Sequence, residues 1–272
     1  MTREASIIEL AAWLETPPGR YLLAWEQAQL DGAVADLFGF HALQLGLPQL
    51  AGLAANRMPH RWLALDCAPG TGEMVCEGRP GMPKAIVALH CEFDELPFEA
   101  ASLDLVVLPH ALELARDPHQ TLREVERVLR PEGRVVILGM NPASFWGLRQ
   151  NLGRLRGKTR HPYLPRLSPT SERIGYWRLR DWLRLLSFEV EGARFGVYAP
   201  ALRSEKWLAR WRWIERIGQR WWPVLGAVYF IVAVKRVHGM RLIGLARQQK
   251  QLKPKAAPAV ALHQRRPHNK KP

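Results

Sequence analysis

The sequence predicts an α/β fold built on a mainly parallel β-sheet, and both the order of its segments and its size indicate this fold class. Between about residues 40 and 140, short apolar runs rich in β-branched residues alternate with stretches of helical periodicity. Such alternation is typical of βαβ units, in which a helix connects one parallel strand to the next. With 272 residues, of which 47% are hydrophobic, the chain can bury a full-sized core.

Five apolar runs are predicted as successive strands of this sheet. Each is short, rich in aliphatic residues and bounded by turn-forming residues, as buried parallel strands are. In chain order they are HALQL (41–45), WLALD (62–66), KAIVALH (84–90), LDLVVL (103–108) and GRVVILG (133–139).

The clearest helix lies between the last two of these strands, in the stretch DPHQTLREVERVLRPEG. Asp117 can cap its first turn, and Leu122, Val125 and Val128 fall on one face. Pro131 predicts its end. A shorter helix, PQLAGLAANRM (48–58), is expected between the first two strands.

The last third of the chain is predicted to complete the sheet. Residues 141–175 are rich in Pro, Gly and Arg, which indicates a long connection or lid. A helix at about 177–186 and the strand FEVEGARFGVY follow. GAVYFIVAVKR is expected to return antiparallel as the last strand, and its apolar core is shorter than the roughly 20 residues that cross a bilayer.

Residues 203–222 are predicted as a Trp- and Arg-rich helix. Trp207, Trp211 and Ile214 form a stripe at helical spacing. Packing of this stripe on the sheet edge is the preferred interpretation. Contact with anionic lipid or a hydrophobic substrate is the alternative, because indoles and cations suit such an interface.

The net charge of +14 is concentrated at the end of the chain. From Lys235 to Pro272 there are eleven Lys and Arg and no Asp or Glu, which leaves +3 (14 minus 11) for residues 1–234. We therefore predict a domain at 1–238 and a basic, disordered tail at 239–272. The tail could make weak contacts with an anionic membrane or a nucleic acid.

The cysteines and the N-terminal residues indicate a cytoplasmic protein without a metal site. Cys67, Cys76 and Cys91 show no CxxC spacing, which favours reduced thiols over metal ligands. The first residues, MTREASIIELAAWLE, carry Glu4 and Glu9 and lack the apolar segment of a signal peptide.

Two glycine-containing turns compete as the cofactor-binding loop of such a domain. If WLALD were the first strand, CAPGTG would form the loop. The 20 residues from Gly72 to Glu92 are, however, too few for the two helices and two strands that must follow. If HALQL is first, the loop begins at Gly46, and Asp66 follows 20 residues later, close to the spacing of a ribose-binding acid. The second register is preferred.

The motifs of the central region resemble a known enzyme family. ELPFEAASLDLVVLPHALELARDPHQTLREVERVLRPEGRVVILG resembles the type 11 group of class I S-adenosylmethionine-dependent methyltransferases. FGFHALQLG and GMNPASFWGLR are similar to segments of its YafS-like branch of bacterial methyltransferase-domain proteins. The resemblance extends from about Pro18 to Lys235. It implies a Rossmann-like sheet of seven strands in the order 3-2-1-4-5-7-6, with the last strand antiparallel and helices on both faces.

The resemblance also implies S-adenosylmethionine as cofactor and assigns roles to five residues. Gly46 would meet the methionine part of the cofactor, and Asp66 would bind the ribose hydroxyls. Glu92 would accept a hydrogen bond from the adenine amino group. Phe93 would flank the adenine ring, and Leu108 would border the methyl-donor sulfur.

Candidate catalytic and substrate residues follow the fourth and fifth strands. His110 is the best-placed general base, a group needed only when the methyl acceptor carries a proton; orienting a helix is the alternative role for it. Asn141, Trp146 and Arg149 lie where the substrate lid of this fold begins. They are predicted to contact substrate, and the alternative is a turn with local packing.

The first loop departs from the family pattern, which bears on function. Members carry an acid-x-Gly-x-Gly-x-Gly loop, whereas this chain has Gln44-Leu45-Gly46-Leu47-Pro48. The leading hypothesis is methyl transfer to a small or lipid-like acceptor. The alternatives are a degenerate methyltransferase fold acting as a non-catalytic binding module, and a nucleic-acid methylase or binder that uses the basic tail.

Overall fold

A seven-stranded sheet forms the centre of the protein, in the order β3-β2-β1-β4-β5-β7-β6. The computed structural model describes residues 10–66, 86–149, 174–200, 206, 210–211 and 213–236. The observed strand order confirms the order that the resemblance implies. The strands are β1 (His41–Leu45), β2 (His60–Leu65), β3 (Ile86–His90), β4 (Leu103–Pro109), β5 (Leu129–Met140), β6 (Phe188–Gly196) and β7 (Val228–Lys235).

Strands β1 to β5 are parallel, and β7 runs antiparallel between β5 and β6. β1 pairs with β2 on one side and with β4 on the other, and β3 and β5 extend the sheet from these strands. β7 is antiparallel to both of its neighbours. The predicted antiparallel last strand is confirmed. HALQL is the first strand and WLAL belongs to the second, which confirms the preferred register.

Helices cover both faces of the sheet. The sheet's residues divide between two apolar clusters: Leu105 and Val107 of β4 belong to one, and Val106 and Leu108 belong to the other. This alternation within one strand explains why β4 is an unbroken apolar run, since both of its faces are buried. The longer helices are α1 (Pro17–Val34), α3 (Pro118–Val128), α4 (Tyr176–Leu185) and α5 (Trp213–Trp221), and α2 (Ala111–Leu114) is a single turn.

Helix α3 begins where its sequence predicts and ends earlier. The Asp117 carboxylate accepts hydrogen bonds from the backbone N–H groups of His119 and Gln120, as expected of a cap. The helix ends at Val128 instead of continuing to Pro131. Leu129 already pairs with Leu103 in the sheet, so strand pairing determines the boundary.

The short helix predicted for residues 48–58 is wrong, because this segment forms turns. Its backbone is held by side chains from outside the segment as well as within it. The Gln27 amide bonds both the N–H and the carbonyl of Ala51. Asn56 donates to the carbonyls of Val34 and Leu37 and accepts from Met58. These tertiary contacts replace the local hydrogen bonds of a helix.

Strand β6 forms one edge of the sheet and carries charged residues. Its register shifts between Val190 and Gly192, which marks a β-bulge, and the middle of the strand is exposed. Glu191 pairs with Arg134, and Glu189 pairs with Arg236.

The chain divides into two compact units, Met1–Val237 and His238–Pro272. The second unit, which contains the predicted basic tail, lies outside the described residues. So do residues 150–173 of the predicted lid, and Trp207 of the predicted stripe. No helix among the described residues has the length and apolar character that crossing a membrane requires.

Candidate functional site

The candidate site lies at one edge of the sheet, where the parallel strands β1 to β5 end. Gly46 follows β1 and Asp66 follows β2. Glu92 comes two residues after β3, and His110 and Asn141 follow β4 and β5 directly. Ligands of open α/β sheets bind at this carboxyl edge, beside the strands at which the chain reverses its direction of winding. The topology therefore brings the predicted residues to a common edge.

Gly46 begins the turn after β1 in a left-handed backbone conformation. Its φ is +74°, and the next residue, Leu47, also has a positive φ of 44°. Among the residues that the structure describes, a Cβ added at Gly46 would meet only the ring of Phe93, at 3.5 Å. The requirement for glycine is therefore conformational and not steric. The Gly46 N–H donates to the Ala64 carbonyl of β2 at 2.7 Å, which ties the turn to the neighbouring strand.

The buried side chain of Gln44 organises this turn, a role that is not predicted from the sequence. Its Nε2 lies 3.1 Å from the carbonyl oxygens of Gly46 and Leu47 and 2.8 Å from that of Leu50. Its Oε1 accepts from the Gly52 N–H at 2.9 Å. A carboxylate could not donate to these carbonyls. The one sign of this role in the sequence is that a glutamine stands where the family pattern has an acid.

The two carboxylates assigned to the cofactor stand at the ends of adjacent strands. Asp66 is half-buried directly after β2, and Glu92 is exposed just after β3. The Cys91 N–H donates to the Leu65 carbonyl, so pairing of the two strands continues to their ends. Phe93 is 2% exposed beside Gly46, whereas Leu108 lies fully buried inside β4. Carboxylates here can accept hydrogen bonds from hydroxyl and amino groups.

His110 is fully buried and lies between two carboxylates. Its Nε2 lies 2.8 Å from Glu26 of α1, and its Nδ1 lies 3.1 Å from Glu113 of α2. Glu113 also accepts from the backbone N–H of Met140 at the end of β5. His110 has a φ of 54°, so it holds a left-handed conformation at the start of α2. The side chain thus joins two helices to the end of β4.

The charge state of His110 follows from these contacts. Burial by itself lowers the pKa of His110, but the charge of Glu26 and the hydrogen bonds to Glu113 and Glu26 outweigh it and raise the pKa to about 10. At neutral pH both ring nitrogens therefore carry protons. A charged imidazole cannot take a proton from a methyl acceptor, so the geometry argues against the predicted general base. It favours the alternative role of orienting a helix.

Tyr229 of β7 extends this buried cluster. Burial and the neighbouring charge of Glu113 raise the pKa of Tyr229 well above its ordinary value. Its ring lies directly over Gly139 of β5, where an added Cβ would come within 2.3 Å of the phenol oxygen. Within the described ranges, no group of three or more His, Cys, Asp or Glu side chains is arranged to hold a metal ion.

Asn141, a predicted substrate contact, is engaged with the protein itself. Its side-chain amide donates to the carbonyls of Val224 and Gly226, at 2.6 and 2.9 Å. Its Oδ1 accepts from the Ala143 N–H at 3.1 Å. The residue is 4% exposed. These contacts fit the alternative interpretation of a turn, and they fasten the end of β5 to the segment that leads into β7.

Trp146 and Arg149 differ in their environments. The Trp146 indole is buried, donates to the Ala199 carbonyl at 2.8 Å and packs edge-on against Trp13. Arg149 is exposed. Of the three predicted substrate contacts, Arg149 is therefore the one whose side chain is directed toward solvent.

Helix α1 spans several loops of this edge. Gln27 bonds Ala51 in the turn after β1, and Glu26 holds His110 at the end of β4. The Tyr21 hydroxyl donates to Glu215 of α5 at 2.7 Å. One helix thus fixes the first loop, the end of β4 and α5 with respect to each other.

Comparisons with known proteins agree with this fold. A protein family described as "Methyltransferase domain" matches residues 46–137, beginning at the turn glycine. The chain is 32% identical to the "Uncharacterized protein YafS" of Escherichia coli K12 over 260 residues, which cover 94% of this chain and 92% of that protein.

Two further proteins are similar to this chain, one over a short stretch of sequence and the other in its fold. A demethylmenaquinone methyltransferase of Chlamydia pneumoniae is 37% identical over 54 residues, which are 20% of this chain and 24% of that protein. The crystal structure of an S-adenosylmethionine-dependent methyltransferase from Mesorhizobium loti superimposes with a TM-score of 0.51 at 15% identity. This superposition covers 76% of this chain and 96% of that one. It shows the fold.

Proposed function

This chain belongs to the S-adenosylmethionine-dependent methyltransferase family, in the branch that includes YafS, and from this premise we propose that it methylates a small or lipid-like acceptor. The cofactor would bind at the carboxyl edge of β1, β2 and β3. Gly46, Asp66, Glu92 and Phe93 would hold it.

The observation that carries the proposal is the placement of these four residues at the ends of three adjacent strands. Gly46 lies beside the Phe93 ring, which is 3.5 Å from where a Cβ of residue 46 would be. Asp66 and Glu92 are acceptors suited to ribose hydroxyls and to an adenine amino group. Phe93 offers an aromatic surface in the same place. The residues present therefore fit S-adenosylmethionine, even though the first loop differs from the family pattern.

The Gln44 arrangement explains how an unusual loop could remain competent. S-adenosylmethionine supplies a methyl group on a positively charged sulfur, and its transfer depends mainly on positioning and on exclusion of water. Four hydrogen bonds of Gln44 hold the turn in one conformation. The turn is thereby ordered without the second and third glycines of the family pattern, so the absence of those two need not abolish binding.

The state of His110 restricts the acceptor. Because His110 is charged and both its nitrogens face carboxylates, it does not remove a proton from an acceptor at neutral pH. We therefore favour an acceptor atom that is already deprotonated or that has no proton to lose, such as a carboxylate, a thiolate or a tertiary amine. Exposed Arg149 remains a candidate for contact with an anionic acceptor.

Calorimetric titration with S-adenosylmethionine and S-adenosylhomocysteine tests the first step. We expect both to bind, and we expect Asp66→Ala to weaken binding by about 10- to 100-fold. Hydrogen bonds to a charged acceptor contribute about 1.5–3 kcal/mol, and 1.4 kcal/mol is a factor of ten. Asp66→Asn keeps the shape of the side chain and should weaken binding less.

Glu99→Gln is the matched control, because Glu99 is an exposed acid on the segment between β3 and β4. It should bind the cofactor as the unaltered protein does. Equal affinity in Asp66→Ala would contradict the assignment of Asp66. Absence of heat with either ligand at millimolar concentration, in folded protein, would favour the non-catalytic binding module.

A further inference from the structure

Helix α5 presents large apolar side chains to solvent. Trp213, Ile217 and Trp221 are 56%, 39% and 70% exposed, and Trp222, just after the helix, is 52% exposed. Residues spaced by four lie on one side of a helix, so the first three fall within about 80° of its circumference. They form a continuous stripe. Exposed apolar patches of this kind mark interaction sites more often than isolated surface residues do.

The opposite side of α5 faces the protein and is formed by Glu215 and Gly218, with Ile214 half-buried beside them. The Glu215 carboxylate accepts from the Tyr21 hydroxyl at 2.7 Å and from the N–H groups of Val197 and Tyr198. Gly218 is the buried residue of the helix, and an added Cβ there would lie 2.4 Å from the Tyr198 ring. The helix is thus amphipathic, but its apolar side is the outer one. This is the reverse of a helix that packs on a core.

Positive charges accompany the apolar stripe. Arg216 and Arg220 are exposed on α5, and by helical geometry they flank the stripe within one turn. The one acid of the helix, Glu215, is directed inward. The outer side therefore combines indoles with cations. From Lys235 onward the sequence adds eleven Lys and Arg and no acid.

We propose that the outer face of α5, formed by Trp213, Arg216, Ile217, Arg220 and Trp221, docks the protein on an anionic lipid bilayer. Indole rings reside at the boundary between headgroups and acyl chains, and arginines beside them pair with lipid phosphates. A helix with an apolar stripe and flanking cations lies in the plane of such an interface. The basic residues that follow β7 strengthen the attraction to negative lipids.

The charges on this face favour a bilayer over a second copy of the chain. A two-fold contact through the same stripe would bring Arg216 and Arg220 of each copy close to those of the other. Repulsion between like charges opposes that arrangement, and the outer face of α5 supplies no acid to offset it. An anionic membrane satisfies the indoles and the arginines together.

The location of α5 gives this docking a consequence for the site. The helix connects β6 to β7 at the carboxyl edge of the sheet, and Asn141, at the end of β5, bonds Val224 and Gly226 just after it. A bilayer to which α5 is bound therefore lies beside the edge of the sheet at which the candidate site opens. This orientation, unlike the docking itself, rests on the proposed function. It identifies a lipid as the preferred class of acceptor.

Co-sedimentation of the full chain with vesicles tests the proposal. We expect binding to vesicles of phosphatidylcholine with 30% phosphatidylglycerol to be at least tenfold tighter than to phosphatidylcholine alone, and to weaken in high salt. The double variant Trp213→Ala/Trp221→Ala should lose at least tenfold in affinity for the anionic vesicles. Arg216→Gln/Arg220→Gln should lose severalfold and respond less to salt.

Phe38→Ala/Phe40→Ala is the matched control, since these aromatic residues are 79% and 63% exposed but precede β1 at the opposite edge of the sheet. It should bind vesicles as the unaltered chain does. Circular dichroism verifies that each variant is folded. Vesicle binding that is absent, or that is unchanged in the double Trp variant, would overturn the proposal. The proposal would also be overturned if the double Trp variant lost affinity for a single-stranded oligonucleotide and not for vesicles.

Cofactor titration of the same preparations separates the two proposals. Vesicle binding that depends on Trp213 and Trp221, in a protein that gives no heat with S-adenosylmethionine, would refute the proposed function and leave the docking surface standing. Cofactor binding without vesicle binding would refute the docking surface alone.

Discussion

His110 is the residue at which burial and charge are most tightly balanced in this protein. A fully buried imidazole without charged neighbours would be neutral. In this protein Glu26 and Glu113 each accept a hydrogen bond from one ring N–H group of His110. Removing one partner of a buried charged pair costs about 3–5 kcal/mol, because the other charge is left uncompensated. The His110 cluster therefore orders α1 and α2 against the end of β4. It is a positioning element at the candidate site.

The His110 cluster predicts a pH dependence of stability. The pKa of the His110 side chain is raised from about 6.5 in the unfolded chain to about 10 in the folded one. The stabilisation is therefore complete below pH 6.5 and is lost as the pH rises towards 10. The free energy of unfolding should fall by at most about 1.4 kcal/mol per pH unit over this range. Urea denaturation at pH 6.5, 8 and 9.5 measures it.

The variant Glu26→Gln isolates this contribution from other titrating groups. It removes the strongest of the influences that raise the pKa of His110, so the loss of stability should end at a lower pH and be smaller in total than in the unaltered protein. Identical pH profiles for the two proteins would show that His110 is not the charged group.

Residue roles could be predicted from sequence only where the backbone alone decides them. Gly46 needs a left-handed turn after an apolar strand, and that need is visible in the chain. The part played by Gln44 depends on which carbonyls the turn directs towards it, which follows from tertiary structure. The same holds for His110, since its partner Glu26 lies 84 positions earlier in the sequence.

At the level of helices, two glycines differ in what surrounds them. Gly32 lies in α1, and within the described part of the chain no atom outside its own stretch of helix lies within 4 Å of an added Cβ, whereas Gly218 of α5 lies against the Tyr198 ring. Alanine is favoured over glycine in a helix by about 1 kcal/mol. Overpacking of a close contact costs about 1–3 kcal/mol. Local preference therefore decides the outcome at Gly32, and packing decides it at Gly218.

We predict opposite effects for the two alanine variants. Gly32→Ala should stabilise the protein by about 0.5–1 kcal/mol, and Gly218→Ala should destabilise it despite the better helix former. Thermal unfolding resolves both, since 1 kcal/mol shifts Tm by about 2–4 °C in a domain of this size. A stabilising Gly218→Ala would mean that α5 does not rest on Tyr198 in solution.

Strand positions were more predictable than the segments between them. Apolar runs such as those of β1 and β4 are strands because both faces of the sheet are covered, and composition alone reveals this. Residues 48–58 are also apolar and helix-compatible, yet Gln27, Gln44 and Asn56 hold them as turns. Bonds from distant side chains cannot be inferred from local periodicity.

At the scale of the molecule, the sequence pattern and the family resemblance together led to the observed strand order. The pattern of the residues predicts a parallel sheet whose last strand returns antiparallel, but the order of the seven strands came from the resemblance. The decisive inference from the residues was one of length, since 20 positions after Gly72 could not hold two helices and two strands.

The division of the chain at Val237 predicts that the tail is dispensable for folding. The described members of both apolar clusters lie within the first unit, and residues 239–272 contribute nine Lys and Arg and no Asp or Glu. Deleting them should leave Tm and the affinity for S-adenosylmethionine unchanged. It should weaken binding to an oligonucleotide and reduce its salt dependence. Unchanged affinity for RNA and DNA would exclude the tail as a nucleic-acid binder.

The bulged edge strand β6 has a consequence for how this protein behaves at high concentration. An open sheet edge can pair with the edge of another molecule and begin aggregation. Along β6, the bulge between Val190 and Gly192 interrupts a regular ladder, and Glu189 and Glu191 place charges on the strand. A strand of another molecule would therefore face an irregular and charged edge of the sheet. The same features that end the sheet keep separate copies from joining through it.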